Sequence, residues 1–148
     1  MKNIAVLIVV TLLGSCSVEE QVVFADGSRT QMSHWSDRHL VINYWAEWCA
    51  PCRHEIPELN QLHKDRVKHG LVMLGVNYDG IAGEKLSALI DQMGIEFPTL
   101  VEDPQLRYGY DRAETLPMTV IINPQRKVHK ILIGPQTASS IQAAVLAN

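Results

Sequence analysis

The stretch Leu40-Val41-Ile42-Asn43-Tyr44-Trp45-Ala46-Glu47-Trp48-Cys49-Ala50-Pro51-Cys52-Arg53-His54-Glu55-Ile56-Pro57 decides how this chain reads. Leu40 to Trp45 is a short apolar run, as expected of a buried strand. Beyond the cysteines, Ile56, Leu59, Leu62 and Val67 fall close to one helical face, and Gly70 is placed to stop that helix. Cys49 and Cys52 therefore sit where a strand gives way to a helix. A helix N-terminus offers unpaired N–H groups and a partial positive charge, and both favour a thiolate over a thiol. A cysteine there titrates below its free value of ~8.5. Two intervening residues let the second thiol reach the first and close a small disulfide ring. Cys49, the more exposed, is the expected nucleophile, and Cys52 the resolving thiol within the first turn. Pro51 suits a helix start, where its missing N–H is no loss. Two other uses of the pair stay open. Structural zinc takes about four ligands, and the nearest histidine, His54, directly follows the pair on the same helix. A purely structural disulfide across so short a loop stabilises a fold weakly.

Working outward, Val22-Val23-Phe24 followed by Asp26-Gly27 suggests a hairpin with a type I′ turn. Leu71 to Val76 is apolar apart from Gly75, as for a strand covered on both faces. Leu86, Leu89, Ile90 and Met93 repeat at helical spacing, and Gly94 closes that helix. Phe97 to Val101 reads as a short strand. Pro117 opens a strand from Met118 to Ile122, Asn123-Pro124 turns, and Val128 to Ile133 returns antiparallel. Thr137 to Leu146 reads as a closing helix. A helix between two apolar strands implies a parallel βαβ unit, and the late hairpin makes the sheet mixed. The fold class is therefore α/β, a mixed central sheet flanked by helices, with an N-terminal β-hairpin extension and an inserted helix.

The first segment stands apart. Lys2 precedes an apolar run, Ile4 to Leu13, too short for the ~20 residues that cross a bilayer. Leu13-Gly14-Ser15-Cys16 resembles the lipobox of bacterial lipoproteins. That resemblance implies cleavage before Cys16 and lipid on its thiol and new amino terminus, an anchor that two or more acyl chains make stable. The expected layout is a lipoprotein signal peptide over 1–15, a tether over 16–21 and one domain over 22–148. Cys16 would then be blocked, leaving Cys49 and Cys52 as the only free thiols.

Composition narrows the classes further. Apolar residues make up 47% and charged ones 20%, as in an ordinary globular domain. The formal charge of −3 and scattered basic residues speak against nucleic acid as a partner. His34, His39, His63, His69 and His129 form no ligand spacing with the cysteines, so no metal and no cofactor is expected.

From Leu40 to Pro57 the chain resembles the membrane-tethered, extracytoplasmic thioredoxins of the TlpA/ResA/DsbE family. The resemblance runs more weakly from about residue 21 to the C-terminus. It implies a thioredoxin fold and a helix kinked at Pro57. Thr115-Leu116-Pro117-Met118-Thr119 matches the family's proline before its third long strand. That proline is cis and lies against the Cys-x-x-Cys, which would expose the Leu116 backbone to a substrate strand. Trp48 would cover part of the same surface. Asn43 stands where cytoplasmic thioredoxins carry a buried aspartate. Glu55 matches an acidic residue that helps set the cysteine pKa in ResA-like members. A carboxylate near a thiolate raises the thiol's pKa and can take its proton, and a plain surface glutamate is the competing reading. Tyr110-Asp111-Arg112-Ala113-Glu114 departs from the glycine-containing approach to the proline in haem-maturation members, and Leu116 is not the commonest residue before it.

The activity so implied is thiol–disulfide exchange. The direction expected is a monomeric reductase in the bacterial cell envelope. It would act on disulfides of secreted proteins or apocytochromes and draw electrons from a membrane thiol carrier, held to the bilayer through Cys16. Glu47 and Glu55 oppose a highly stabilised thiolate, which a strong oxidant needs. The rival readings are an oxidase or isomerase, and a redox-inert binding lipoprotein or metallochaperone on the same scaffold. For a thiol peroxidase, the usual Thr-x-x-Cys arrangement is absent, since Trp45 and Ala46 stand four and three residues ahead of Cys49.

Overall fold

The computed structural model describes residues 21–147. The leader, Cys16 and most of the tether lie outside them. The first strand begins at Gln21, so the domain takes in the last residue assigned above to the tether.

Strand β1 (Gln21–Val23) pairs antiparallel with β2 (Arg29–Gln31), and a 3₁₀ turn follows at Met32–Trp35. The core elements are β3 (His39–Trp45), α1 (Ala50–Lys64), β4 (Leu71–Asn77) and α2 (Gly83–Met93). Next come β5 (Thr99–Leu100), the single turn α3 (Gln105–Tyr108), β6 (Met118–Ile122), β7 (Val128–Ile133) and α4 (Ala138–Leu146). The main sheet runs β5-β4-β3-β6-β7. β4 is parallel to both β3 and β5, while β6 is antiparallel to β3 and to β7. This is a thioredoxin fold with a mixed sheet, the hairpin added at its start and α2–β5 inserted between β4 and the last strands.

Alternation along the strands sorts side chains to two faces. Val41 and Trp45 of β3, Met73 of β4 and Ile121 of β6 meet α1, α2 and α4. Leu40, Ile42 and Tyr44 point the other way, under the hairpin and the Tyr110–Leu116 segment. The hairpin is fixed to the sheet edge by the Ala25 N–H to Thr99 carbonyl bond and the Val101 N–H to Val23 carbonyl bond. Tyr44, Trp45 and Phe97, read as core, are buried.

Several local expectations change. The Asp26-Gly27 turn is not type I′. Positive φ occurs at Gly27 (80°) and not at Asp26, and Gly27 N–H closes onto the Phe24 carbonyl. That is the three-residue loop in which a left-handed glycine follows the turn. Asp26 accepts from the Ser28 amide and hydroxyl and holds it in shape. Helix α1 stops at Lys64 rather than running to Gly70. Turn bonds from Lys68 N–H to the Asp65 carbonyl and from Leu71 N–H to the Arg66 carbonyl swing Val67 outward, where it is 76% exposed. The strand expected over Phe97 to Val101 is trimmed to Thr99–Leu100, the Pro98 carbonyl accepting from Gly75 N–H just before it. Pro57 lies inside α1 and leaves the Arg53 carbonyl without its helical donor.

Candidate active site

Helix α1 begins at the cysteines because Cys49 is its N-cap. Its backbone is extended (φ −83°, ψ 94°) and its sulfur accepts the Cys52 N–H at 3.2 Å. A donor aimed at this sulfur, together with the helix terminus, stabilises negative charge on Cys49. Cys49 and Cys52 are joined as a disulfide, with Cα atoms 5.3 Å apart. Both are buried, at 3% and 0% exposure. Cys49 is thus the more exposed by a narrow margin. The expectation that it is the nucleophile rests more on its N-cap position than on access.

Glu55 follows Cys52 by three residues, one helical turn along α1. It is not a surface glutamate: its exposure is 2%. Asn43 Nδ2 donates to Glu55 Oε1 at 2.7 Å, and the Gln136 amide donates to Oε2 at 2.8 Å. Burial pushes the carboxyl up to about 7, against these two bonds, which pull it down. The group is therefore poised near neutrality, where a carboxyl exchanges protons with a thiol most readily. Asn43 also donates to Thr119 Oγ1 at 3.2 Å across the β3–β6 ladder, in which the two residues pair directly. β3 and the segment before α4 each donate to this one carboxylate, and β6 backs the Asn43 donor through Thr119.

At the surface, Trp48 is 64% exposed. Its indole N–H donates to the Asp79 carboxylate at 3.1 Å from Oδ2, and its ring meets Tyr78 edge-on. Arg112 lies over the Tyr78 ring, 4.4 Å from its centroid, and donates to the Tyr78 carbonyl. The Leu116–Pro117 peptide bond is cis. Pro117 immediately precedes Met118, which pairs with Tyr44 at the end of β3 that leads into the motif. Leu116 is half-buried against the apolar cluster that includes both cysteines. Its own amide and carbonyl have no hydrogen-bond partner among the described residues.

Trp48, Cys49, Cys52 and Glu55 follow one another from the end of β3 into α1, and Leu116, from the segment leading into β6, packs on the apolar cluster to which both cysteines belong. Sequence reasoning missed Asp79, Gln136 and the Asn43–Thr119 pair. Only the ladder register, which no local pattern encodes, brings residue 119 against residue 43. Among the described residues, no three or more His, Cys, Asp or Glu side chains gather as metal ligands. No helix of the described residues is long and apolar enough to cross a membrane.

The chain is 32% identical over 120 residues to the thiol-disulfide oxidoreductase ResA of Bacillus subtilis, a match covering 78% of this chain and 64% of that protein. The chain thus spans just under two thirds of that relative's length. Among solved structures, a thiol:disulfide interchange protein of the thioredoxin family from Chlorobium tepidum superposes with a TM-score of 0.70. It shares 23% identity, covering 86% of this chain and 90% of that one. An exposed lipoprotein thioredoxin from Streptococcus pneumoniae gives a TM-score of 0.65 at 20% identity, covering 86% and 97%. The AhpC/TSA family model matches residues 18–131, and the chain belongs to that family.

Proposed function

We propose that this protein is a thiol–disulfide oxidoreductase that cycles Cys49 and Cys52 between dithiol and disulfide. The observation that carries the reading is the helix-capping Cys49 sulfur, which accepts the Cys52 N–H while bonded to Cys52. In the reductive direction the Cys49 thiolate attacks one sulfur of a substrate disulfide. The substrate S–S bond breaks, its other sulfur leaves as a thiolate and takes a proton, and a mixed disulfide forms at Cys49. Cys52 then gives its proton to Glu55 and attacks Cys49 Sγ. The Cys49–Cys52 bond forms, and the second substrate sulfur leaves and is protonated. Two electrons pass to the substrate and the centre ends oxidised.

The free backbone of Leu116 beside Pro117 suits pairing with an extended substrate segment, a mode in which main-chain bonds supply affinity. Trp48 supplies an apolar wall. The favoured direction is reduction of extracytoplasmic disulfides. Its supports are the acidic Glu47 and Glu55 beside the motif and an Ala50-Pro51 spacer that adds no side-chain donor. The protein named ResA that this chain resembles is a thiol-disulfide oxidoreductase by name, and secreted proteins or apocytochromes are the substrate class proposed here. Reducing equivalents would come from a membrane thiol carrier. The lipobox-like string supports a lipid anchor at Cys16, with the domain on the outer side of the membrane.

Substrate trapping tests the chemistry. Cys52→Ala leaves no resolving thiol, so covalent complexes through Cys49 should accumulate and dissolve in dithiothreitol. The Cys49→Ala, Cys52→Ala double variant should trap nothing. A folded Cys52→Ala protein that forms no mixed disulfide would refute the reading.

A further inference from the structure

Asn43 is fully buried, and its two amide atoms fare very differently. Nδ2 donates both to Glu55 Oε1 and to Thr119 Oγ1. Oδ1 has no partner among the described residues. A buried carbonyl without a donor is unfavourable, and such groups call for an explanation.

The explanation lies in the carboxyl it faces. Ionised, Glu55 only accepts, and both its oxygens are served, by Asn43 and by the Gln136 amide. Protonated, it carries an O–H that needs an acceptor. The Gln136 N–H fixes Oε2 as an acceptor, so the proton belongs on Oε1, facing Asn43. With Nδ2 in place, donor would meet donor. Turning the Asn43 amide over brings Oδ1 to that position and gives the orphaned atom its donor, while the NH₂ moves to the place Oδ1 left and gives up its bonds to Glu55 and Thr119. Thr119 tolerates both settings, because a hydroxyl accepts from Nδ2 in one and donates to Oδ1 in the other. Thr119 is itself fully buried, so water does not compete.

We infer that Asn43 is a two-position amide switch, backed by Thr119, that positions the Glu55 proton: Nδ2 faces the carboxylate, and Oδ1 faces the carboxylic acid. The switch deepens the proposed thiol chemistry, since it rests on Glu55 taking and returning the Cys52 proton. An aspartate at position 43 has no donor to offer the ionised carboxylate. The groups around Glu55 are few. On α1, Cys52 lies one turn before it, and Glu58 one turn after, exposed and accepting the Ala138 N–H. β3 and β6 present Asn43 and Thr119, and the segment before α4 presents the Gln136 amide, none of which titrates.

The test is an NMR titration of the full oxidised protein, following the Glu55 carboxyl carbon and the Asn43 side-chain NH₂ together. Above the Glu55 midpoint the NH₂ protons should show cross-relaxation to the Thr119 side chain. Below it that contact should vanish, with the same midpoint. In Asn43→Leu, loss of the charge-assisted donor outweighs loss of the neutral acceptor, so Glu55 should bind its proton about tenfold more tightly. The pH profile of Cys49 alkylation in the reduced protein should move with it. An Nδ2–Thr119 contact that persists on both sides of the midpoint overturns the switch, and so does an unmoved Glu55 midpoint in Asn43→Leu. The wild-type titration decides by itself if that variant fails to fold. A switch that follows Glu55 while alkylation ignores both upholds the inference and refutes the role of Glu55 in the thiol chemistry.

Discussion

Replacing Glu55 with Gln should change how the stability of the oxidised protein depends on pH. In the folded chain burial raises the Glu55 carboxyl to about 7 from its ordinary 4.5. Below pH 4.5 the group is protonated in both folded and unfolded chains, and its ionisation takes nothing from stability. As pH rises past 4.5 the unfolded chain releases the proton while the folded chain still holds it. Stability therefore falls until about pH 7, beyond which both states are ionised and the loss stays constant. At about 1.4 kcal/mol per tenfold change in proton affinity, the gap between 4.5 and about 7 corresponds to a loss of ~3 kcal/mol. Gln keeps an acceptor in place but has no proton to lose. The assay is urea unfolding of wild type and Glu55→Gln at pH 4 to 8, both oxidised so that neither Cys49 nor Cys52 titrates. The difference between the two curves is the quantity of interest, because His39 and His63, whose burial lowers their pKa, contribute alike to both. Wild type should lose ~3 kcal/mol relative to the variant between pH 4.5 and 7. A difference that stays flat across that range would refute the buried-acid description of Glu55.

Two further outcomes follow from particular residues. A Cβ on Gly75 would meet Thr99 Oγ1 at 2.8 Å and both the Phe97 ring and Trp45 Nε1 at 3.1 Å. Gly75→Ala should therefore destabilise the fold by ~1–3 kcal/mol in chemical denaturation, the usual cost of overpacking, and an unchanged midpoint would show that Thr99 and Phe97 give way freely. Cys16→Ala should release the protein from membranes in fractionation, and wild type without incorporated acyl label would contradict the anchor.

Much of this architecture is legible in sequence because its signals are local. The apolar runs at Leu40–Trp45 and Leu71–Val76, the Cys49-Ala50-Pro51-Cys52 helix start and the Gly94 stop each report on their own neighbourhood. What escapes is decided by tertiary pairing. Glu55 reads equally well as a surface residue on a first helical turn. Its burial follows from how α1 lies against β3 and from the Gln136 segment, 81 positions away in the chain. Asn43 interrupts an apolar strand and so is visible as an oddity, but its partner Thr119 is set by ladder register. Val67 fits the helical period and misleads, because the turn bonds after Lys64 end the helix before that period is used. The hairpin at Asp26-Gly27 is correctly placed and wrongly typed, since a left-handed glycine serves two different turns.

The measurement that tests the central claim most directly is the equilibrium reduction potential of the Cys49–Cys52 pair. The protein would be equilibrated with graded dithiothreitol or glutathione couples, and its thiols trapped and counted by mass. A single reversible two-electron transition near the ~−270 mV of thioredoxin is the result expected of a reductase in which Glu47 and Glu55 oppose the thiolate. A potential above roughly −180 mV would make the protein an oxidase or isomerase, and a pair that does not exchange reversibly would contradict the account altogether.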